Sequence, residues 1–144
     1  MPGALFDPTK SVLWMGGEQD GVADPQSIHD AFEYSAGERK LVMIPGAGHN
    51  NAFSDICEIG RQYGGLAGIA ISNGLPIPSD VVGLANDGCP VPPFVLSNQV
   101  WPITRHFVTA ELRYRAGLDP EPVGLGSDVT DQFGAVTPTY AHNP

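Results

Sequence analysis

Two short apolar runs, residues 11–16 (SVLWMG) and 40–45 (KLVMIP), flank a single capped helical segment. Each run has the length and bounds of a buried strand. Between them Asp24 reads as a helix N-cap, with Pro25 at the first helical position. Ile28, Ala31, Phe32 and Ser35 then recur at helical spacing, and Gly37 is a natural stop. Strand, helix and strand in so short a span make a βαβ unit, whose strands run parallel and usually side by side. The runs are nearly continuous in apolar residues rather than alternating, which predicts a sheet covered on both faces.

The rest of the chain adds less sheet. Residues 52–64 (AFSDICEIGRQYG) predict a short helix, and residues 64–97, rich in Gly and Pro, predict a long, partly ordered excursion. A helix is expected over residues 100–118. Ile103, Phe107, Ala110, Tyr114 and Leu118 mark its inner face, Pro102 falls in its first turn, and Gly117, Pro120 and Pro122 end it. Residues 119–144 read as a surface tail. Two strands make an incomplete sheet, so the expectation is that Met1 starts partway through a larger domain.

With 144 residues, 42% apolar and 16% charged, the chain fits one globular domain. Seven basic against sixteen acidic residues, a net charge of -9, argue against nucleic acid or an anionic membrane as partner. No apolar stretch is long enough for a transmembrane segment, and residues 1–10 lack the basic and apolar regions of a signal peptide. Cys57 and Cys89 are too few for a disulfide framework or a cysteine-only zinc site. They form one bridge or stand as two buried thiols. We expect the bridge, closing the excursion beneath His49; a bridge would point to secretion, free thiols to the cytoplasm.

Asp20 follows the first strand and His49 the second. In a parallel sheet both positions emerge at the carboxyl edge, where open α/β sheets bind ligands. Glycines 17, 21, 46 and 48 surround the two and leave room for the side chains to converge. A carboxylate facing an imidazole can fix its tautomer and stabilise its protonated form.

Residues 12–57 (VLWMGGEQDGVADPQSIHDAFEYSAGERKLVMIPGAGHNNAFSDIC) carry a resemblance to the C-terminal portion of the α/β-hydrolase superfamily. The group most similar is that of dienelactone hydrolases, cutinase-like enzymes and platelet-activating-factor acetylhydrolases. The matching features are the strand-end G-x-x-D of Gly17–Asp20, the proline-started helix, and the G-x-G-H of Gly46–His49. Residues 100–118 are similar to the family's terminal helix. The resemblance implies an α/β fold: residues 1–118 as the C-terminal part of a hydrolase domain, with parallel strands, flanking helices and a long irregular excursion. It also implies a serine-type carboxylic ester hydrolase with Asp20 as triad acid and His49 as base, Asn50 and Phe53 near the pocket, a small-molecule or lipid ester substrate, and no cofactor.

The departure is the nucleophile. In this family the serine comes first in chain order, within G-x-S-x-G, and no such motif occurs here. Ser35 has Glu33 where glycine is needed; Ser72 lies downstream of His49, and Pro76 and Pro78 block the helix an elbow requires. The chain alone is therefore expected to be inactive, with the missing N-terminal half as a partner. The alternative reading is a non-catalytic interaction or remnant domain that pairs with another chain through its open sheet edge.

Other candidates have plainer roles. Asp24 reads as a cap, Glu18 as a substitute acid disfavoured by spacing, and His29, His106 and His142 as surface or packing residues. Asp20, Asp24, His29 and His49 could be assembled into a metal site, but no H-x-x-x-H or H-E-x-x-H spacing supports one. Trp14 and Trp101 read as core.

Overall fold

A computed structural model describes Asp7 and residues 9–144; the start of the domain at residues 1–6 lies outside the described residues. The apolar runs form β1 (Val12–Gly17) and β2 (Arg39–Ile44), each one residue from its expected bounds. They pair in parallel, from Val12 opposite Arg39 to Gly17 opposite Ile44. Between them runs α1 (Pro25–Tyr34), where the Asp24 side chain accepts the Gln26 N–H at 3.1 Å as an N-cap should. Ser35 ends the helix two residues before Gly37, its N–H bonded to the Ala31 and Phe32 carbonyls.

Beyond β2 the expected single helix is split into α2 (His49–Phe53) and α3 (Ile56–Gly60), with a 3₁₀ turn at Arg61–Tyr63. Ser54, extended at φ -147°, interrupts them. The excursion holds two short helices, α4 (Leu66–Ser72) and α5 (Val82–Ala85). It is closed by a Cys57–Cys89 disulfide, with S–S 2.07 Å and Cα–Cα 4.8 Å. The terminal helix, α6 (Ser97–Arg115), starts three residues earlier than the pattern suggested, so Pro102 sits in its second turn. The carbonyl a proline leaves unpaired belongs to Asn98, which is exposed to water.

The segment 119–144 corrects the expectation of a surface tail. It ends in β3 (Thr139–Asn143), which pairs antiparallel with β2 and makes a mixed three-stranded sheet, ordered β1-β2-β3. It also sends Leu125, Val129 and Val136 into the core. Only Tyr140 of β3 is partly buried, so the strand's sequence carries no alternation to read. The strands are thus not all parallel.

The period-two geometry of β2 explains the two cores. Val42 and Ile44 face α6, where Val100, Ile103, Phe107 and Ala110 meet the three apolar residues from the segment 119–144. Leu41 and Met43 face α1 and pack on Phe32, with Trp14 and Ile28 at the margin. Both faces are covered, as the apolar run from Leu41 to Ile44 required. Tyr114 is only partly buried, and Leu118 lies beyond the helix and is exposed. Lys40 shares the α6 face with Val42 and is fully buried, its ammonium 2.6 Å from Glu38 and 3.0 Å from Glu111. Arg115 pairs with both carboxylates, and His142 of β3 reaches Glu38 at 3.3 Å.

Candidate active site

The ladder of β1 and β2 ends at Gly17 and Ile44, and both chains turn out at that carboxyl edge. The Glu18 N–H still bonds the Ile44 carbonyl at 3.0 Å and the Gln19 N–H that of Ala47 at 2.9 Å, so the two loops leave in contact. Gly46 makes the turn at φ 73°, a conformation glycine adopts without strain. Asp20 and His49 then meet, with Asp20 Oδ2 3.0 Å from His49 Nδ1.

The two partners differ in access. The Asp20 side chain is 2% exposed, that of His49 45%. Asp20 Oδ1 accepts the N–H groups of Val22 (2.8 Å) and Ala23 (2.7 Å), which fix the carboxylate and leave Oδ2 aimed at the imidazole. A carboxylate only accepts, so Nδ1 carries the proton of this hydrogen bond. In the neutral ring Nε2 is then the free base, and among the described residues it has no hydrogen-bond partner. Chemically, an imidazole held this way can act as a general base, with a shielded carboxylate orienting it from behind.

The other expected site residues separate. Asn50 turns its amide back to the excursion, donating to the carbonyls of Ala85 (3.1 Å) and Asp87 (2.8 Å). Phe53 is half exposed and lines a hollow of about 170 Å³ with Trp101, Thr104 and Arg105. Trp101 is only partly buried, yet its Nε1 is buried with no partner among the described residues. A hollow of about 540 Å³ lies along α6 against residues 119–124, and neither Asp20 nor His49 lines it.

Ser35 is buried between the Trp14 indole N–H (2.9 Å) and the Ala31 carbonyl (2.7 Å). Ser72 is exposed at the end of α4, bonded to the Ile69 carbonyl. Neither touches His49. The metal arrangement does not assemble: Asp24 caps α1, His29 is exposed, and among the described residues no three His, Cys, Asp or Glu side chains cluster as ligands. His106 bonds the Gly124 carbonyl at 2.7 Å, a packing role.

Sequence reasoning missed Asp87. It arrives on the excursion and accepts the His49 N–H at 2.6 Å, while its carbonyl accepts the Asn50 N–H at 3.0 Å. The missed signal was Gly48. A Cβ there would lie 2.7 Å from Asp87 Oδ2 and 2.7 Å from the Gly88 backbone, so this glycine makes room for the excursion. Asn51, fully buried, completes the seam by accepting the Gly48 N–H (2.8 Å) and donating to the Val95 carbonyl (2.7 Å). No protein-family model, curated protein or solved structure matches this chain.

Proposed function

We propose that this chain is the acid-and-base part of a serine-type carboxylic ester hydrolase, with an α/β-hydrolase fold, whose nucleophile lies outside these 144 residues. One observation carries the reading: a shielded Asp20 bonded to Nδ1 of an accessible His49, at the carboxyl ends of two paired parallel strands. His49 Nε2 would take the proton of a serine hydroxyl as it attacks the ester carbonyl, then return it to the leaving alcohol. Asp20 would hold the tautomer and stabilise the imidazolium formed in between. The substrate is a small-molecule or lipid ester, and the steps need no cofactor.

The test uses the product of the whole coding frame and a fluorophosphonate probe. The expected result is one labelled serine outside this segment, with labelling reduced at least about a hundredfold by His49→Gln, in line with the contribution of a general base. Labelling that survives His49→Gln, or a frame product with no reactive serine, would refute the reading.

A second reading, strand pairing with another chain, is favoured by β1, which among the described residues pairs only with β2. Its outer edge offers unpaired backbone groups to a further strand. Sedimentation of the isolated chain separates the two: a stable homodimer lost when proline replaces Leu13 supports edge pairing as the function.

A further inference from the structure

We infer that Asp87 is a positioning residue for the Asp20–His49 pair, one carboxylate that fastens both site loops to each other and to the excursion. The inference rests on the catalytic reading of that pair and extends it to a residue that touches neither ring nor carboxylate.

The geometry is specific. Asp87 Oδ2 accepts the backbone N–H of His49 at 2.6 Å and that of Gly21, the residue after Asp20, at 3.2 Å. A single oxygen thus spans the two loops just beyond the last strand pairing. Both bonds are charge-assisted, hence stronger than a neutral pair. The space is built for this carboxylate: a Cβ on Gly48 would lie 2.7 Å from Oδ2, and one on Gly21 3.0 Å from Oδ1. From the other side, the Asp87 and Ala85 carbonyls hold Asn50, and Cys89, two residues on, is bonded to Cys57.

The consequence follows from tolerance. An acid–base pair displaced by about 1 Å can lose on the order of a hundredfold in rate. Asp20 sits on the loop after β1 and His49 at the first residue of α2, and their own hydrogen bond joins only the two side chains. Asp87 adds a second, backbone-level tie, so the ring is placed before any substrate arrives.

The experiment reads the pair directly in the 144-residue chain. By proton NMR, a His49 Nδ1–H held by Asp20 gives a downfield, slowly exchanging signal, assigned by its loss in Asp20→Asn. In Asp87→Ala the signal is expected to disappear or exchange at least tenfold faster, with the far-UV spectrum and cooperative melt retained. Asp87→Asn keeps an acceptor oxygen and should restore it. A wild-type signal in Asp87→Ala would overturn the role of Asp87 while leaving the pair intact. Absence of the signal from the wild type would overturn the pair, and the inference with it. Should Asp87→Ala not fold, the wild type carries the test through the hydrogen-bond coupling between the His49 amide nitrogen and the Asp87 carboxyl carbon; its absence overturns the inference.

Discussion

Asp20 is held by three contacts of different kinds: two backbone amides on Oδ1 and one imidazole on Oδ2. Asn in its place can keep an oxygen on the two loop amides and turn its amide donor toward Nδ1, so the ring must take the other tautomer, with its proton on Nε2. Asp20→Asn is therefore expected to cost only about 1 kcal/mol in urea unfolding, as charge-assisted hydrogen bonds become neutral ones, while Nε2 ceases to be a base. Gly48 gives a sharper test. Its φ of -107° is open to any residue, so Gly48→Ala isolates the steric contact with Asp87 and Gly88 from backbone strain. We expect a loss of about 1–3 kcal/mol in the same assay, typical of overpacking; a neutral substitution would mean that the excursion yields easily. At this scale the sequence was informative where a residue's role is local. The Asp24 cap, and Asp20 and His49 beside the ends of their strands, follow from neighbours in the chain. Asp87 was illegible because its partners are 38 and 66 residues away, and an Asp before Gly reads as an ordinary turn.

Among the elements, β2 combines most of the demands of the fold. One face is wholly apolar over Leu41 and Met43, whereas the other places Lys40 beside Val42 and Ile44. The buried ammonium is tolerable because Glu38 and Glu111 face it, and Arg115 balances the second negative charge. Burial tends to raise the Glu38 pKa, yet hydrogen bonds and attraction from Arg115 and Lys40 outweigh it and hold the group at about 2, against an ordinary 4.5. Glu111 is lowered by the same opposition of burial against Arg115 and Lys40. A depressed folded-state pKa contributes stability above the unfolded value, and that stability fades as pH falls toward the folded one. For Glu38 the window runs from 4.5 down to about 2. Unfolding free energies across it should fall by ~2 kcal/mol for Glu38, after allowing for its partial exposure. Glu111→Gln should cost about 1.5–3 kcal/mol, since Lys40 loses one of its two carboxylates and keeps Glu38, and Lys40→Met less, since Arg115 still serves both carboxylates. The apolar elements were legible because burial writes itself as continuous apolar runs in the strands and as helical spacing in α1 and α6. The role of Lys40, first residue of the second run, was not legible, because no local pattern distinguishes a lysine that finds two carboxylates from one that meets water.

The whole molecule is bound together by sequence-distant ties: β3 from the C-terminal end against β2, α6 across the sheet, and the excursion stitched to the site loop. The disulfide, with a separation of 32 residues, constrains the unfolded chain by about 3–4 kcal/mol on the loop-entropy view. Reduction under native conditions should lower the urea midpoint accordingly, and amide exchange should accelerate first around Asp87 and His49. Without a nucleophile at Nε2, the 144-residue chain is expected to show no turnover of p-nitrophenyl acetate above buffer and no fluorophosphonate label; labelling of Ser35 or Ser72 would contradict this. The overall plan was half legible. A strand–helix–strand unit announces itself, but a short polar strand such as Thr139–Asn143 exists only because β2 offers it an edge.

The Cys57–Cys89 bridge also decides how the molecule would respond to a protease. The stretch between α4 and α5 is largely exposed, with Leu75 60% accessible, and both helices lie inside the span that the bridge closes. A single cut there would separate β1, α1 and β2 from α6 and β3 along the backbone only. The halves would stay joined through sulfur, and through a sheet to which both contribute strands. Nicked protein should therefore migrate as one band without reductant and two with it, and the His49 ring signal should be unchanged by the cut until thiol is added.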